Sequence, residues 1–158
     1  MRIFFAFLSA VAVQPLVLAL RIAPSYFSSP VPMGIGEISF IYFLVVFVSA
    51  PVVLVLGIPT FLLLRRSARL GWLSVGLTGF MLGGFLAALF WPHALSSDSA
   101  SQNWHGKDVE MYIDGSPTIY AWLSYGENII YYGLHGLVGA VVFYAVWRKL
   151  APVAPTVS

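Results

Sequence analysis

The charged residues of this chain are sorted between the gaps that separate its long apolar runs. Of its 8 basic residues, most lie near the N-terminus, between the second and third runs, or after the fourth, while all 6 acidic residues lie in the other two gaps. A chain that crosses a bilayer an even number of times shows this alternation, because basic residues are retained on the cytoplasmic side. The sorted basic residues are Arg2, Arg65, Arg66, Arg69, Arg148 and Lys149.

The composition excludes an ordinary soluble domain. Hydrophobic residues make up 59% of the chain and charged residues 9%, whereas soluble domains carry about 25% charged residues. The chain is mildly basic, but its basic residues flank apolar runs and form no patch interleaved with aromatic residues. We therefore expect the lipid bilayer as a partner and no nucleic acid.

Four apolar runs are long enough to cross a hydrocarbon core, which takes roughly 20 helical residues. They predict an all-α integral membrane protein, a four-helix bundle with both termini in the cytoplasm of a bacterium and the bundle in its cytoplasmic membrane. The predicted single membrane domain covers 1–158, with spans 3–20, 38–64, 70–90 and 128–147 and one long external, periplasmic loop at 93–126.

Two of these runs have features that need separate interpretation. The second is longer than a bilayer requires and contains Pro51 and Pro59, which predicts one bent helix, because no polar turn divides it. The first follows Arg2 and resembles a cleaved signal peptide in part. Its length favours an uncleaved signal anchor. The connector after it, 21–37, is rich in Pro, Ser and Gly and predicts irregular structure.

The external loop allows two local structures. Alternating apolar residues from Val109 to Ile113, followed by Asp114-Gly115, are typical of a hairpin. Ser116-Pro117 is instead typical of a helix N-cap with proline at the first helical position. We expect an extended piece, a turn, and then a short helix to about Tyr125 that lies on the outer membrane interface.

A polar strip runs along the start of the fourth span and is the least ordinary feature of the chain. Residues at these spacings share one side of a helix, and an ionisable residue inside an apolar run usually faces a bundle interior. Counted at about 1.5 Å per residue, His135 and Gln14 of the first span lie at the same depth, so we expect a hydrogen bond between them. The predicted intramembrane polar site is Gln14, Glu127, Asn128, Tyr131, Tyr132 and His135.

Small residues at four-residue spacing in the third span, and near His135 in the fourth, predict close helix packing. Packing within the bundle is the favoured interpretation, and homo-oligomerisation is the alternative. The predicted packing residues are Gly79, Gly83, Ala87, Gly136 and Gly139.

The external loop combines carboxylates with aromatic side chains. Aromatic residues supply contact area at interfaces, and carboxylates select basic partners. We expect this surface to bind another protein on the external side. A metal site is the less favoured interpretation, because the spacing of His and acidic residues matches no ligand motif. The predicted recognition residues are Trp104, Asp108, Glu110, Tyr112, Asp114, Tyr120 and Trp122.

Catalytic machinery is not evident in the sequence. The chain has no cysteine, which removes thiolate metal sites and disulfide chemistry, and it contains no nucleophile, nucleotide or metalloprotease motif. We expect no cofactor and no metal, and a non-enzymatic protein: an accessory subunit of a membrane complex or an immunity-type protein. A proton-linked transporter that uses the polar strip is the alternative. A membrane enzyme that acts on lipid or an envelope substrate through His93, His105 and the acidic residues of the loop is a weaker one.

Overall fold

The computed structural model describes residues 1–28, 34–94 and 99–151, and the side chains of these residues except 23–28. Within these ranges, three helical stretches are long and apolar enough to cross a membrane: Arg2–Ile22, Ile35–Arg66 and Ile119–Lys149. A fourth apolar helix, Trp72–Ala88, is shorter at 17 residues. A small sheet accompanies the helices, so the fold is mostly helical rather than all-α.

The first stretch consists of two helices, α1 (Arg2–Ala12) and α2 (Gln14–Ser28). The break at Val13 follows from Pro15, which has no backbone N–H and cannot donate to the carbonyl four residues earlier. The backbone makes a tighter turn there, in which the Leu16 N–H donates to the carbonyl three residues earlier, Val13 O, at 3.1 Å. Helix α2 is described as far as Ser28, so the predicted irregular connector 21–37 is helical in its first part, and 29–33 lie outside the described residues.

The second stretch runs without a polar turn through α3 (Ile35–Val52), a π-helical segment (Val53–Gly57) and α4 (Ile58–Arg66). Pro51 lies inside α3, and Pro59 lies in the first turn of α4. Each proline removes one backbone donor, and a wider π turn between them is a common way to absorb such a loss within a continuous helix. The predicted continuous helix is confirmed, and its irregularity lies between the two prolines.

Helices α5 (Trp72–Ala88) and α6 (Ile119–Lys149) form the closest pair in the bundle. A Cβ atom added to Gly79 or Gly83 would overlap the α6 backbone, and one added to Gly136 would overlap the backbone of α5. On Gly133 it would lie 2.7 Å from the Phe80 ring. Gly79, Gly83 and Gly136 therefore pack within the chain, because only glycine permits this approach of the two backbones.

The segment between α5 and α6 contains a three-stranded antiparallel sheet of β1 (Ala100–Trp104), β2 (Lys107–Ile113) and β3 (Ser116–Pro117). The two turns that join the strands have positive φ at both central residues, as two-residue type I′ hairpin turns require. These residues are His105 at 52°, Gly106 at 81°, Asp114 at 48° and Gly115 at 75°. The hairpin predicted at Asp114-Gly115 is thus confirmed.

The predicted N-cap at Ser116 is wrong, because Ser116 and Pro117 form β3. The cap of α6 is Thr118, whose hydroxyl accepts a hydrogen bond from the Tyr120 N–H at 3.2 Å and donates to Glu110 O at 2.6 Å. The predicted interfacial helix and the predicted span 128–147 are one helix of 31 residues. The helix that contains the predicted span therefore begins at Ile119, within the predicted loop 93–126.

Aromatic side chains gather where α4 ends, α5 begins and α6 ends. The Phe61 ring lies 4.9 Å from Phe143, and the Trp72 ring lies 4.7 Å from Tyr144. Arg65 lies 5.5 Å from the Trp147 ring, at the range of a cation–π contact. The basic ends of α4 and α6 thus share one end of the bundle, which is called the basic end below.

The glycine contact between α5 and α6 predicts that a larger residue at Gly136 destabilises the fold. Gly136→Ala adds one methyl group where the α5 backbone already occupies the space, so it should lower the free energy of unfolding by about 1–3 kcal/mol. Gly126→Ala, in the same helix with nothing within 4 Å of the added atom, is the matched control. It should be neutral or slightly stabilising, because alanine favours helix. Equal losses in detergent unfolding titrations would contradict the packing argument.

Candidate functional site

The side chains of Gln14 and His135 meet in the interior of the bundle. His135 Nδ1 and Gln14 Oε1 are 2.6 Å apart. The Gln14 amide nitrogen donates to two carbonyls, Ala10 O at 3.1 Å and His135 O at 3.3 Å. Gln14 is 5% exposed, so burial without these bonds would be costly. The predicted hydrogen bond is present, and it joins the first and last membrane-length helices.

Local structure places Gln14 at this contact. Gln14 directly follows the break at Val13 and begins α2. A Cβ atom on Gly139 would lie 2.6 Å from the Gln14 amide nitrogen. Gly139 therefore leaves the space that the amide occupies, and its role differs from that of the glycines between α5 and α6.

The geometry of the amide decides which ring nitrogen of His135 carries hydrogen. Because both carbonyl partners require the Gln14 NH₂ group, the amide oxygen faces the ring and can only accept. Nδ1 must then be the donor. In the neutral imidazole, Nε2 is consequently an acceptor, and within the described residues it has no hydrogen-bond partner.

Two tyrosines and one arginine surround His135. The Tyr131 ring centroid lies 4.7 Å from that of His135 in an edge-to-face arrangement, and Tyr132 lies at 6.3 Å. The Arg21 guanidinium is 4.1 Å from the Tyr131 ring centroid, a close cation–π contact. The Tyr131 hydroxyl is buried and makes no hydrogen bond of good geometry within the described residues, although the Arg21 guanidinium approaches it as a donor of poorer geometry. Arg21 was absent from the predicted site. Arg21 lies on α2, which runs antiparallel to α6, so it is displaced from Gln14 in the same direction as Tyr131 is displaced from His135.

The predicted polar strip divides at its outer end. The Glu127 carboxylate accepts a hydrogen bond from the Trp104 indole at 3.0 Å and lies 3.1 Å from His105 Nε2. Glu127 thus holds the sheet against α6 and does not line the interior around His135. Asn128 is the next residue of α6 and is half-buried. Neither contact of Glu127 could be read from sequence spacing, because both partners come from the hairpin.

A cavity of about 570 Å³ lies beside His135 between the helices. It extends from Phe143, near the basic end, to Phe90, beyond the last turn of α5. Its wall is mostly apolar, and Ala87, Gly79 and Gly83 contribute to it. Besides Gln14 and His135, the polar side chains in its wall are Ser49, Thr60, Thr78, Tyr131 and Tyr132.

The predicted recognition residues separate between two faces of the sheet. Successive residues of a strand point to opposite faces. Met111 is 6% exposed on the face towards α6, so Asp108, Glu110 and Tyr112 share the opposite, outward face, where both acids are exposed. We call this the outward sheet face.

The remaining predicted recognition residues lie elsewhere. Trp104 packs 5.7 Å from the Tyr120 ring, between the sheet and α6. Asp114 is exposed in the second turn. Trp122 is 46% exposed on α6. The outward sheet face therefore brings together three of the seven residues, and their role stays a prediction.

Metal-binding chemistry finds no support in the described part of the chain. Those residues contain no group of three or more His, Cys, Asp or Glu side chains that could hold a metal ion. The His105–Glu127 pair is instead part of the contact between the sheet and α6.

Comparisons with known proteins returned no match to any family model, curated protein or solved structure.

The Gln14–His135 bond should be measurable as an energetic coupling. In a double-mutant cycle of Gln14→Leu and His135→Leu, the two losses in unfolding free energy should be non-additive by about 1 kcal/mol, as for other hydrogen bonds between membrane helices. Ser9→Ala replaces Gln14→Leu in the control cycle, because the Ser9 hydroxyl donates to Phe5 O within its own helix. A coupling near zero in both cycles would show that the bond contributes nothing.

Proposed function

We propose that this chain is a four-span protein of the bacterial cytoplasmic membrane. Three stretches have membrane-spanning length, and α5 supports the fourth span. Its 17 residues rise about 26 Å, and the apolar residues Leu70, Leu89 and Phe90 extend it towards the core thickness of about 30 Å. Trp72 and Trp91 lie near its two ends, where interfacial tryptophans are common.

The proposed orientation places both termini in the cytoplasm. The contact of Arg65 with Trp147 and the 6.0 Å separation of Arg148 from the Trp72 ring hold the basic residues at one end. Basic residues beside spans favour the cytoplasmic side. The sheet, which follows the opposite end of α5, then lies on the external side.

Single cysteines test this topology, and the chain has no cysteine of its own. Ser101→Cys in the exposed part of β1 should react in intact cells with a membrane-impermeant maleimide. Ser67→Cys, exposed after α4, should react only after the membrane is permeabilised. Labelling of both from the same side would show that α5 does not cross the membrane and would contradict the four-span proposal.

We further propose that the protein acts by binding a basic segment of another protein through the outward sheet face. The supporting observation is that Asp108 and Glu110 are exposed on one face together with Tyr112. The sheet is held in place by Glu127 through Trp104 and His105, so the acids are presented on a rigid support. A rigid surface binds with a smaller entropic loss than a flexible loop. An accessory subunit or an immunity-type protein would use such a surface.

A photo-crosslinking amino acid at Tyr112 should give one specific product in cells. Glu110→Lys should abolish this product, since like charges across an interface repel. Gln102→Lys, exposed on β1 and paired with Val109, adds a positive charge to the opposite face and should leave the product unchanged. Crosslinking that survives Glu110→Lys, or that Gln102→Lys removes equally, would overturn recognition by the outward sheet face.

Proton-linked transport stays the alternative proposal. The cavity reaches His135, and this contact favours proton-linked transport. The cavity wall is mostly apolar, however, and an apolar wall favours an apolar or amphiphilic occupant over a continuous water path.

A further inference from the structure

The cavity beside His135 combines a long apolar wall with a small polar region. Its volume of about 570 Å³ lies within the range of sites that enclose small organic ligands. The polar region is formed where α2 begins and α6 passes it, around Gln14, Tyr131 and His135. An occupant that satisfies both parts must have a compact polar head and an apolar tail.

Two hydrogen-bonding groups in this polar region lack partners among the described residues. His135 Nε2 is an acceptor, because Nδ1 donates to Gln14. The Tyr131 hydroxyl is buried beside the cavity, and no described residue accepts its hydrogen. Unpaired polar groups at membrane depth are costly, since the hydrocarbon core supplies no water to bond them. A ligand hydroxyl meets both requirements, because one oxygen can donate to Nε2 and accept from the tyrosine.

We propose that this cavity is a binding site for a membrane quinol, recognised in its reduced, hydroxyl-bearing form. The quinol head is aromatic and carries O–H donors. The rings of Tyr131, Tyr132 and His135 are already arranged edge to face or tilted, a geometry that extends to another aromatic ring. The isoprenoid tail occupies the apolar length of the cavity between the helices.

Entry is from the lipid, beside α3. Within the described chain, α3 has no buried residue, and Leu44 and Val48 of its cavity-lining face are 41% and 62% exposed. The side of the bundle next to α3 is therefore loosely closed. A ligand dissolved in the bilayer reaches His135 without crossing an aqueous phase.

The oxidised quinone is the matched control ligand. It has the same skeleton, but its two oxygens are carbonyls, which only accept hydrogen bonds. It can therefore pair with the Tyr131 hydroxyl and leaves Nε2 of His135 unpaired. Sites built around a ligand hydroxyl discriminate strongly against analogues that lack it, because their own polar groups stay unpaired.

The experiment measures binding of a short-chain quinol and its quinone to the purified full-length chain in lipid nanodiscs. Calorimetry under anaerobic conditions keeps each redox form intact. We expect the quinol to bind at least about 10-fold more tightly than the quinone. Equal affinities, tighter binding of the quinone, or no saturable binding of either form would overturn the proposal.

Three variants separate the roles of the side chains. His135→Asn keeps an amide donor near the position of Nδ1 for Gln14 but removes the Nε2 acceptor and the imidazole ring. Loss of the ring weakens both ligands alike, whereas loss of Nε2 affects only the quinol, so the quinol-to-quinone preference should fall towards 1. Tyr131→Phe removes the donor common to both complexes and should weaken both ligands similarly. Tyr144→Phe, near the basic end and outside the cavity wall, should change neither. If His135→Asn keeps the wild-type preference for quinol over quinone, the assignment of Nε2 as the acceptor is overturned. If His135→Asn does not fold, unchanged affinity of Tyr131→Phe for both ligands would overturn the proposed site.

Discussion

The backbone contact between α5 and α6 is the constraint on which the other features depend. Gly79 and Gly83 of α5 meet Gly136 of α6 with no space for a Cβ atom, so the relative position of these helices has little freedom. Helix α6 then carries three attachments along its length: the aromatic cluster at the basic end, the Gln14–His135 bond in the interior, and the Glu127 contacts with the sheet. The position of each attachment therefore depends on the close contact that the glycines make between α5 and α6.

Backbone irregularity in the first two stretches follows from proline and has a different consequence in each. Pro15 breaks the first stretch next to Gln14 and leaves that side chain directed at α6, where Gly139 makes room for it. Pro51 and Pro59 flank a π-helical segment, and α3 packs loosely. The first irregularity forms a specific polar contact, whereas the second accompanies an open side of the bundle. The cavity lies between these two arrangements.

The fold thus presents two distinct candidate binding surfaces, the outward sheet face and the cavity wall. The outward sheet face is polar, charged and held by Glu127, which suits a partner that approaches through water. The cavity wall is apolar, with its hydrogen-bonding groups concentrated near His135, which suits a ligand that approaches through lipid. Arg21, stacked on Tyr131 between them, lies at the outer limit of the buried polar region.

Sequence alone determined the membrane class, the continuous second helix, the hairpin at Asp114-Gly115 and the pairing of Gln14 with His135, because these follow from apolar length, local turn chemistry and equal depth on neighbouring helices. It placed Glu127 in the interior strip and the cap of α6 at Ser116, and the tertiary structure decided both differently. The carboxylate is bonded by Trp104 and His105, and β3 pairing takes Ser116 into the sheet. These outcomes depend on contacts between distant segments, and no periodicity in one segment encodes the position of another. The cavity likewise exists only once α3 is placed beside α5 and α6, because an empty space has no residue pattern of its own.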